Sequence, residues 1–132
     1  MFLDTSGLFC VLHQAEAFHE QARAMYKAAT SRITHSGILA EFVALAQARR
    51  VERTEVLSFL VDLIDNPDIR FVWVYESLYR EGLALLSARL DKTYSLCDAV
   101  SFILMRHHRL TEALTTDRHF AQEGFRRLLV PA

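Results

Sequence analysis

Cysteine, glycine, proline and lysine are all scarce in this 132-residue chain, and each scarcity excludes something. Two cysteines, Cys10 and Cys97, are too few for a disulfide framework or a paired CxxC metal site, so a reducing, cytoplasmic setting is expected. Four glycines and two prolines leave no linker-rich or low-complexity stretch, and disorder is not expected. No unbroken apolar run exceeds five residues, as in Phe42–Ala46 and Phe71–Tyr75. A bilayer-spanning helix needs about 20, so no membrane span is expected. The opening Met1-Phe2-Leu3-Asp4 has neither the basic start nor the long apolar stretch of a signal peptide, and none is expected. Lysine occurs only at positions 27 and 92 against 13 arginines, and the net charge is −1. The chain as a whole is therefore not a polycation. Arginine is the better fork for phosphate, which leaves nucleic acid open, with solvated helix faces as the structural alternative.

What is present is apolar material for one core, 52% of residues, in a length that fits one domain spanning residues 1–132. Phe2-Leu3 reads as a short buried strand ending in a turn-prone Asp4-Thr5-Ser6-Gly7, followed by a short helix over Leu8–His13. Apolar positions recur at helical spacing between Glu16 and Thr30. Ile33-Thr34-His35 reads as a second strand, with Ser36 capping a helix to about Arg49. A further helix, Arg53–Asp65, is stopped by Asn66-Pro67. The third strand, Phe71–Tyr75, is apolar throughout and is expected to be covered on both faces. A helix over Glu76–Leu90 carries Tyr79, Leu83, Leu86 and Leu90 in phase, and Ser95 opens another to about His107. Ala113-Leu114-Thr115, a short helix over Asp117–Glu123, and a last strand at Leu128–Val130 complete the order. Such alternation predicts an α/β/α sandwich around a central parallel sheet.

Ligands of open parallel sheets bind beyond the carboxyl ends of the strands. Four acids fall there: Asp4 after the first strand, Glu41 in the helix after the second, Asp98 in the first turn of its helix, and Asp117 after the fourth strand. Three have structural readings. Asp4 could accept amides in its own turn. Asp98 completes Ser95-Leu96-Cys97-Asp98, which resembles a capping box, and Asp117 could cap the helix after it. Glu41 is different, since it shares a helix face with Ile38 and Leu45 and should point at the sheet. Asp98 meets the same difficulty in a segment where only it and Ser101 are polar between Leu96 and Met105. A buried carboxylate costs several kcal/mol unless paired. Two unit charges about 4 Å apart repel by roughly 4 kcal/mol at an effective dielectric near 20. No lysine stands near any of the four, and Arg118, beside Asp117, could equally face solvent. A divalent cation with oxygen ligands resolves the conflict, and carboxylates suit Mg²⁺ or Mn²⁺.

The stretches Phe2-Leu3-Asp4-Thr5-Ser6, Glu41 within Ile38–Leu45, Tyr94-Ser95-Leu96-Cys97-Asp98-Ala99 and Leu114-Thr115-Thr116-Asp117-Arg118-His119-Phe120 together resemble the PIN domain, and more narrowly the VapC-like toxin ribonucleases. The resemblance covers essentially the whole chain. It implies an acidic Mg²⁺ or Mn²⁺ site of one or two ions, hydrolysis of RNA, a co-expressed antitoxin protein that blocks the site, and frequent homodimers. Carried over by position, Asp4, Glu41, Asp98 and Asp117 match the family's acids, with Asp4 and Asp98 as direct ligands. Thr5, Ser6 and Thr116 match hydroxyls beside the metal. Cys97 departs from a common threonine and leaves the acid set intact.

Contacts to RNA are expected from basic runs, Arg49-Arg50 with Arg53, and Arg106–Arg109, together with Arg118. Favourable helix-end charges are the structural alternative. The six histidines, at 13, 19, 35, 107, 108 and 119, show no metal-ligand spacing, and Phe18, Met25, Phe59, Trp73 and Phe102 are expected in the core. Two other functions stand beside the nuclease. A phosphoacceptor receiver domain would need a lysine near its last strand, which Lys27 and Lys92 do not supply. A catalytically silent PIN fold that binds nucleic acid or protein would carry the same acids.

Overall fold

The structure, a computed structural model, describes residues 1–131. Five strands, β1 (Phe2–Leu3), β2 (Arg32–His35), β3 (Ile69–Val72), β4 (Glu112–Leu114) and β5 (Arg126–Arg127), form one parallel sheet in the order β3-β2-β1-β4-β5. Seven helices connect them: α1 (Thr5–Leu12), α2 (His19–Ala28), α3 (Ser36–Ala48), α4 (Arg53–Asp65), α5 (Glu76–Ser87), α6 (Leu96–His107) and α7 (Arg118–Gln122). The chain steps outward from β1 to β2 to β3, then returns across the sheet to β4 and β5. Because parallel crossovers are right-handed, the outward helices α1–α4 fall on one face and the returning helices α5–α7 on the other. The result is the α/β/α sandwich expected from the alternation. The direction of travel reverses between β1 and β4, the switch point at which such sheets open a crevice.

Burial follows the same logic. Phe2, Leu3 and Leu114 on the central strands are fully buried, with Phe42 from α3 and Phe102 from α6 packed over the sheet. Gly7 makes the closest approach. A Cβ there would lie 1.9 Å from the carbonyl oxygen of Leu114, so only glycine lets α1 settle against the end of β4.

Several elements differ from the sequence expectation. Asp4-Thr5-Ser6-Gly7 is not a free turn: Asp4 is extended (φ −90°, ψ 162°) and Thr5 already begins α1. The helix after it, α2, starts at His19 rather than near Glu16. Ser36 does not cap α3. The cap is His35, whose Nδ1 accepts from the Gly37 amide at 3.1 Å, while Ser36 Oγ accepts from the Val74 amide at 2.8 Å. That bond draws the Val74 amide away from the ladder, so β3 ends at Val72. β3 is an edge strand with no neighbour on one side, and Trp73 and Tyr75, beyond its end, are exposed rather than buried. Helix α5 buries Leu78 and Gly82 against α6, so Tyr79 and Leu83 face outward, and Leu90 lies beyond its end and exposed. The last strand is at Arg126–Arg127, although the backbone stays in register as far as Leu129, whose amide donates to the Thr115 carbonyl. No helix among the described residues is long and apolar enough to cross a membrane.

On the α5–α7 face a buried carboxylate ties three segments together. Glu123 accepts from Arg89, from Arg106 at 2.6 Å and from the Tyr94 hydroxyl at 3.0 Å. Burial alone would push Glu123 up, but these donors outweigh it and hold the carboxyl below its ordinary range. Arg106 is thereby committed to the fold.

Gly7→Ala is expected to destabilise the protein by at least the roughly 1–3 kcal/mol typical of overpacking, because the obstructing atom is backbone. Urea unfolding measures this, and an unchanged midpoint would contradict the close approach of α1 and β4.

Candidate active site

The crevice at the switch point is a cleft of about 380 Å³ whose walls include Asp4, Glu41, Asp98 and Asp117. The fold thus brings together four carboxylates that the sequence spreads over more than 110 residues. Each arrives on a different element. Asp4 follows β1 directly and Glu41 sits one turn into α3. Asp98 lies in the first turn of α6, and Asp117 precedes α7.

Each carboxylate is held by hydrogen bonds from its neighbours. Asp4 is buried, and its Oδ2 accepts from Thr115 Oγ1 at 2.6 Å and Ser6 Oγ at 3.2 Å. Glu41 Oε1 accepts from Thr5 Oγ1 at 2.5 Å, which joins α1 to α3. Asp98 closes a full capping box, its Oδ2 accepting from the Ser95 amide at 2.9 Å while Ser95 Oγ accepts from the Asp98 amide. Asp117 caps α7 through the His119 amide at 2.9 Å. The capping readings of Asp98 and Asp117 and their convergence in the cleft are therefore both present. Asp4, by contrast, makes no cap of its own helix.

The electrostatics follow from burial without counter-charge. Neither lysine nor arginine lines the cleft. Burial, reinforced by Glu41 and Asp98, pushes Asp4 up to about 7 against the opposing hydrogen bond from Thr115. Asp98 is raised chiefly by burial, with Asp117 and Glu41 adding to it. The Cys97 thiol, close by, is driven up by burial and by the same acids, so it is held protonated and is no nucleophile. Four carboxylates with no lining Lys or Arg fit a hard divalent cation.

Of the three expected hydroxyls, Thr5 and Ser6 line the cleft and Thr116 does not. Thr116 contributes backbone instead: its amide donates to Ser6 Oγ and its carbonyl accepts from Arg127. The hydroxyl that meets Asp4 is Thr115, one position earlier, because successive residues of extended chain point to opposite sides. His119 was also missed. Its Nδ1 lies 3.2 Å from both Asp98 Oδ2 and Asp117 Oδ1, and the three side chains could share one ion. The signal was the spacing Asp117-x-His119 behind a helix cap, which turns the ring back over the capping acid.

The arginines expected to meet substrate, Arg49, Arg50 and Arg118, do not line the cleft. Arg49 pairs with Glu16 at 3.0 Å and lies over the Phe9 ring, in a depression adjoining the cleft through Ser6 and Leu45. Arg50, with φ 57°, lines a separate hollow between α3 and α4. Arg118 is exposed immediately after Asp117. The run from Arg106 to Arg109 lies at the far end of α6, about 13 Å along the helix from Asp98.

Residues 1–125 match the family model of the PIN domain. Among solved structures, that of Mycobacterium tuberculosis VapC20, described as a sarcin–ricin loop cleaving toxin, superposes with a TM-score of 0.86 at 24% identity, covering 98% of this chain and 98% of that one. No curated protein matches the chain by sequence.

The raised Asp4 carboxyl makes a signed prediction for metal-free protein. Asp4 ionises near 4 when unfolded and near 7 when folded, so between these values the folded chain binds the extra proton and stability is lost as pH rises. Buried His35, lowered by burial to about 4, has the opposite slope. The Asp4→Asn variant isolates the first effect. In EDTA its stability advantage over wild type should grow from pH 4 to 7 by about 3–4 kcal/mol and then level off. Thermal melts across that range check it, and a pH-independent difference would rule it out.

Proposed function

The chain belongs to the PIN domain family, and on that premise we propose that it is a divalent-metal-dependent endoribonuclease, the toxin of a VapC-like toxin–antitoxin pair. One observation carries the proposal: four carboxylates from four separate segments line one cleft that has no lysine or arginine in its walls. The whole chain, residues 1–132, is read as a single such domain.

A divalent cation, Mg²⁺ or Mn²⁺, held by Asp4, Glu41, Asp98 and Asp117 would offset their charge, draw in a phosphate oxygen and lower the pKa of water. Asp4 and Asp98 would be the direct ligands. They are the two buried members, each fixed by donors that leave lone pairs free. Glu41 and Asp117 are less buried, and one of them accepts the proton of the attacking water. Thr115 and Ser6 orient Asp4, and Thr5 orients Glu41. Attack in line on phosphorus breaks the bond to the departing ribose oxygen. Arg118, exposed beside Asp117 in the chain, is a cation free to meet the RNA backbone, while Arg49, with Phe9, flanks the adjoining depression. Arg50 is a contact only for RNA that extends over the α3–α4 hollow.

Protein partners are part of the same proposal: a co-encoded antitoxin and a second copy of this chain. The exposed apolar side chains Trp73, Tyr75, Tyr79 and Leu83 support a protein-covered surface. The free thiols of Cys10 and Cys97 support a cytoplasmic location.

Because VapC20 is a sarcin–ricin loop cleaving toxin, ribosomal RNA within total RNA is the first substrate to test. Purified protein should cleave it with Mg²⁺ or Mn²⁺ and not in EDTA. Thr115→Val, which removes only an orienting bond, should slow cleavage by roughly 10–100-fold, the usual effect of a change behind a metal ligand. Asp4→Asn and Asp98→Asn should cost more than that. Sequencing of RNA ends gives the readout. Wild type that binds RNA without cutting it in Mn²⁺ would overturn the nuclease proposal in favour of a silent binding module.

A further inference from the structure

His119 is the one nitrogen donor in the cleft wall. Its Nδ1 is inaccessible to solvent, yet it makes no hydrogen bond although two carboxylate oxygens lie 3.2 Å away, so the ring's in-plane direction meets neither of them well. The other ring nitrogen, Nε2, is 2.8 Å from Thr93 Oγ1, and the ring is steadied by the edge of Tyr94. When Nε2–H donates to that hydroxyl, Nδ1 carries a bare lone pair. Orientation of an imidazole through its second nitrogen is the usual arrangement behind a metal-binding histidine. A lone pair held 3.2 Å from two carboxylate oxygens, and pointing at neither, is repelled by them and leaves its own direction open for a cation that all three could share. The 3.2 Å separations are also close to the spacing, about 3 Å, of neighbouring donors around an octahedral cation.

We propose that His119 Nδ1 joins Asp98 and Asp117 as a ligand of the cleft's cation, and that this nitrogen donor tilts the site from Mg²⁺ toward first-row transition dications. The inference rests on the metal-dependent function proposed above and names its ligand set and preference. Mg²⁺ favours oxygen donors, whereas imidazole affinity rises from Mn²⁺ to Co²⁺ and Ni²⁺. Thr93 is a positioning residue in this scheme, acting through the ring it holds.

Pulsed electron paramagnetic resonance of the wild-type protein loaded with Mn²⁺ decides the matter without any variant. A ¹⁴N coupling from a directly bound imidazole is expected. It should vanish in His119→Ala and persist in His13→Ala, which alters a histidine outside the cleft. Calorimetric titration should find Co²⁺ bound more tightly than Mg²⁺. His119→Ala should weaken Co²⁺ by at least the roughly 10–100-fold seen for changes behind a ligand, with Mg²⁺ little changed, and Thr93→Val should fall within that range. Mn²⁺ that binds with no ¹⁴N coupling would overturn the His119 assignment while leaving the acidic metal site standing. Failure of wild type to bind Mn²⁺ or Mg²⁺ at all would overturn the metal-dependent function as well.

Discussion

Mutual repulsion among carboxylates is the constraint on which this molecule turns. At the point where the sheet reverses direction, Asp4 and Asp98 are buried within reach of Glu41 and Asp117, and no lysine or arginine enters the cleft to relieve them. Left to themselves such groups would separate or take up protons, and the upward shift of Asp4 to about 7 is the second response. The surrounding fold prevents the first. Thr115 and Ser6 grip Asp4, Thr5 bridges to Glu41, and the Ser95 cap fixes Asp98. The Thr115–Asp4 and Thr5–Glu41 bonds join residues far apart in the chain, so the cleft takes shape only when β1, β4 and α3 have come together, while the Ser6 and Ser95 bonds are local.

Behind the acids, a neutral chain does the aligning. His35, fully buried at the end of β2, accepts from the Gly37 amide through Nδ1 and therefore donates from Nε2 to Ser101 Oγ at 2.8 Å. Ser101 in turn donates to the Cys97 carbonyl at 2.8 Å. One imidazole thus caps the helix that carries Glu41 and anchors the helix that carries Asp98. Its tautomer is fixed by the cap, since Nδ1 must be the acceptor. Burial lowers its pKa to about 4, which keeps it uncharged where Asp4, raised to about 7, changes state.

How far the sequence revealed this depends on whether a feature is local. Strands β1, β2 and β4 were legible within a residue or so, because short β-branched or apolar runs between helical periods have few other interpretations. The four acids were legible as a group because a carboxylate on an apolar helix face, as at Glu41, has to be explained by something outside its own segment. What failed was local detail decided by distant partners. Ser36 looked like a cap, but the amide it serves is Val74 across the chain, and His35 took its place. Phe71–Tyr75 looked doubly covered, yet the strand order leaves it at an edge. The resemblance puts the Thr116 hydroxyl beside the acids, whereas the alternation of the extended chain turns Thr115 to Asp4. Among the six histidines no spacing singles out His119, because two of its partners, Asp98 and Thr93, are more than twenty residues away.

The capping box at Asp98 explains why one residue can serve both the fold and the cleft without compromise. A cap needs one lone pair of one oxygen, and the Ser95 amide takes it. The remaining capacity of the carboxylate is directed across the mouth of the helix, where the first turn of amides carries partial positive charge. The local structure thus positions the acid and offsets part of the cost of ionising it, although burial and the neighbouring acids still prevail. Asp117 repeats the arrangement at the start of α7 with the His119 amide. Two helix starts, from elements on the same face of the sheet, therefore aim their capping acids at one another. The repulsion that results is not an accident of crowding. It follows from using helix caps as the device that delivers carboxylates to a crevice, and it leaves a site in which negative charge is held in register for a cation.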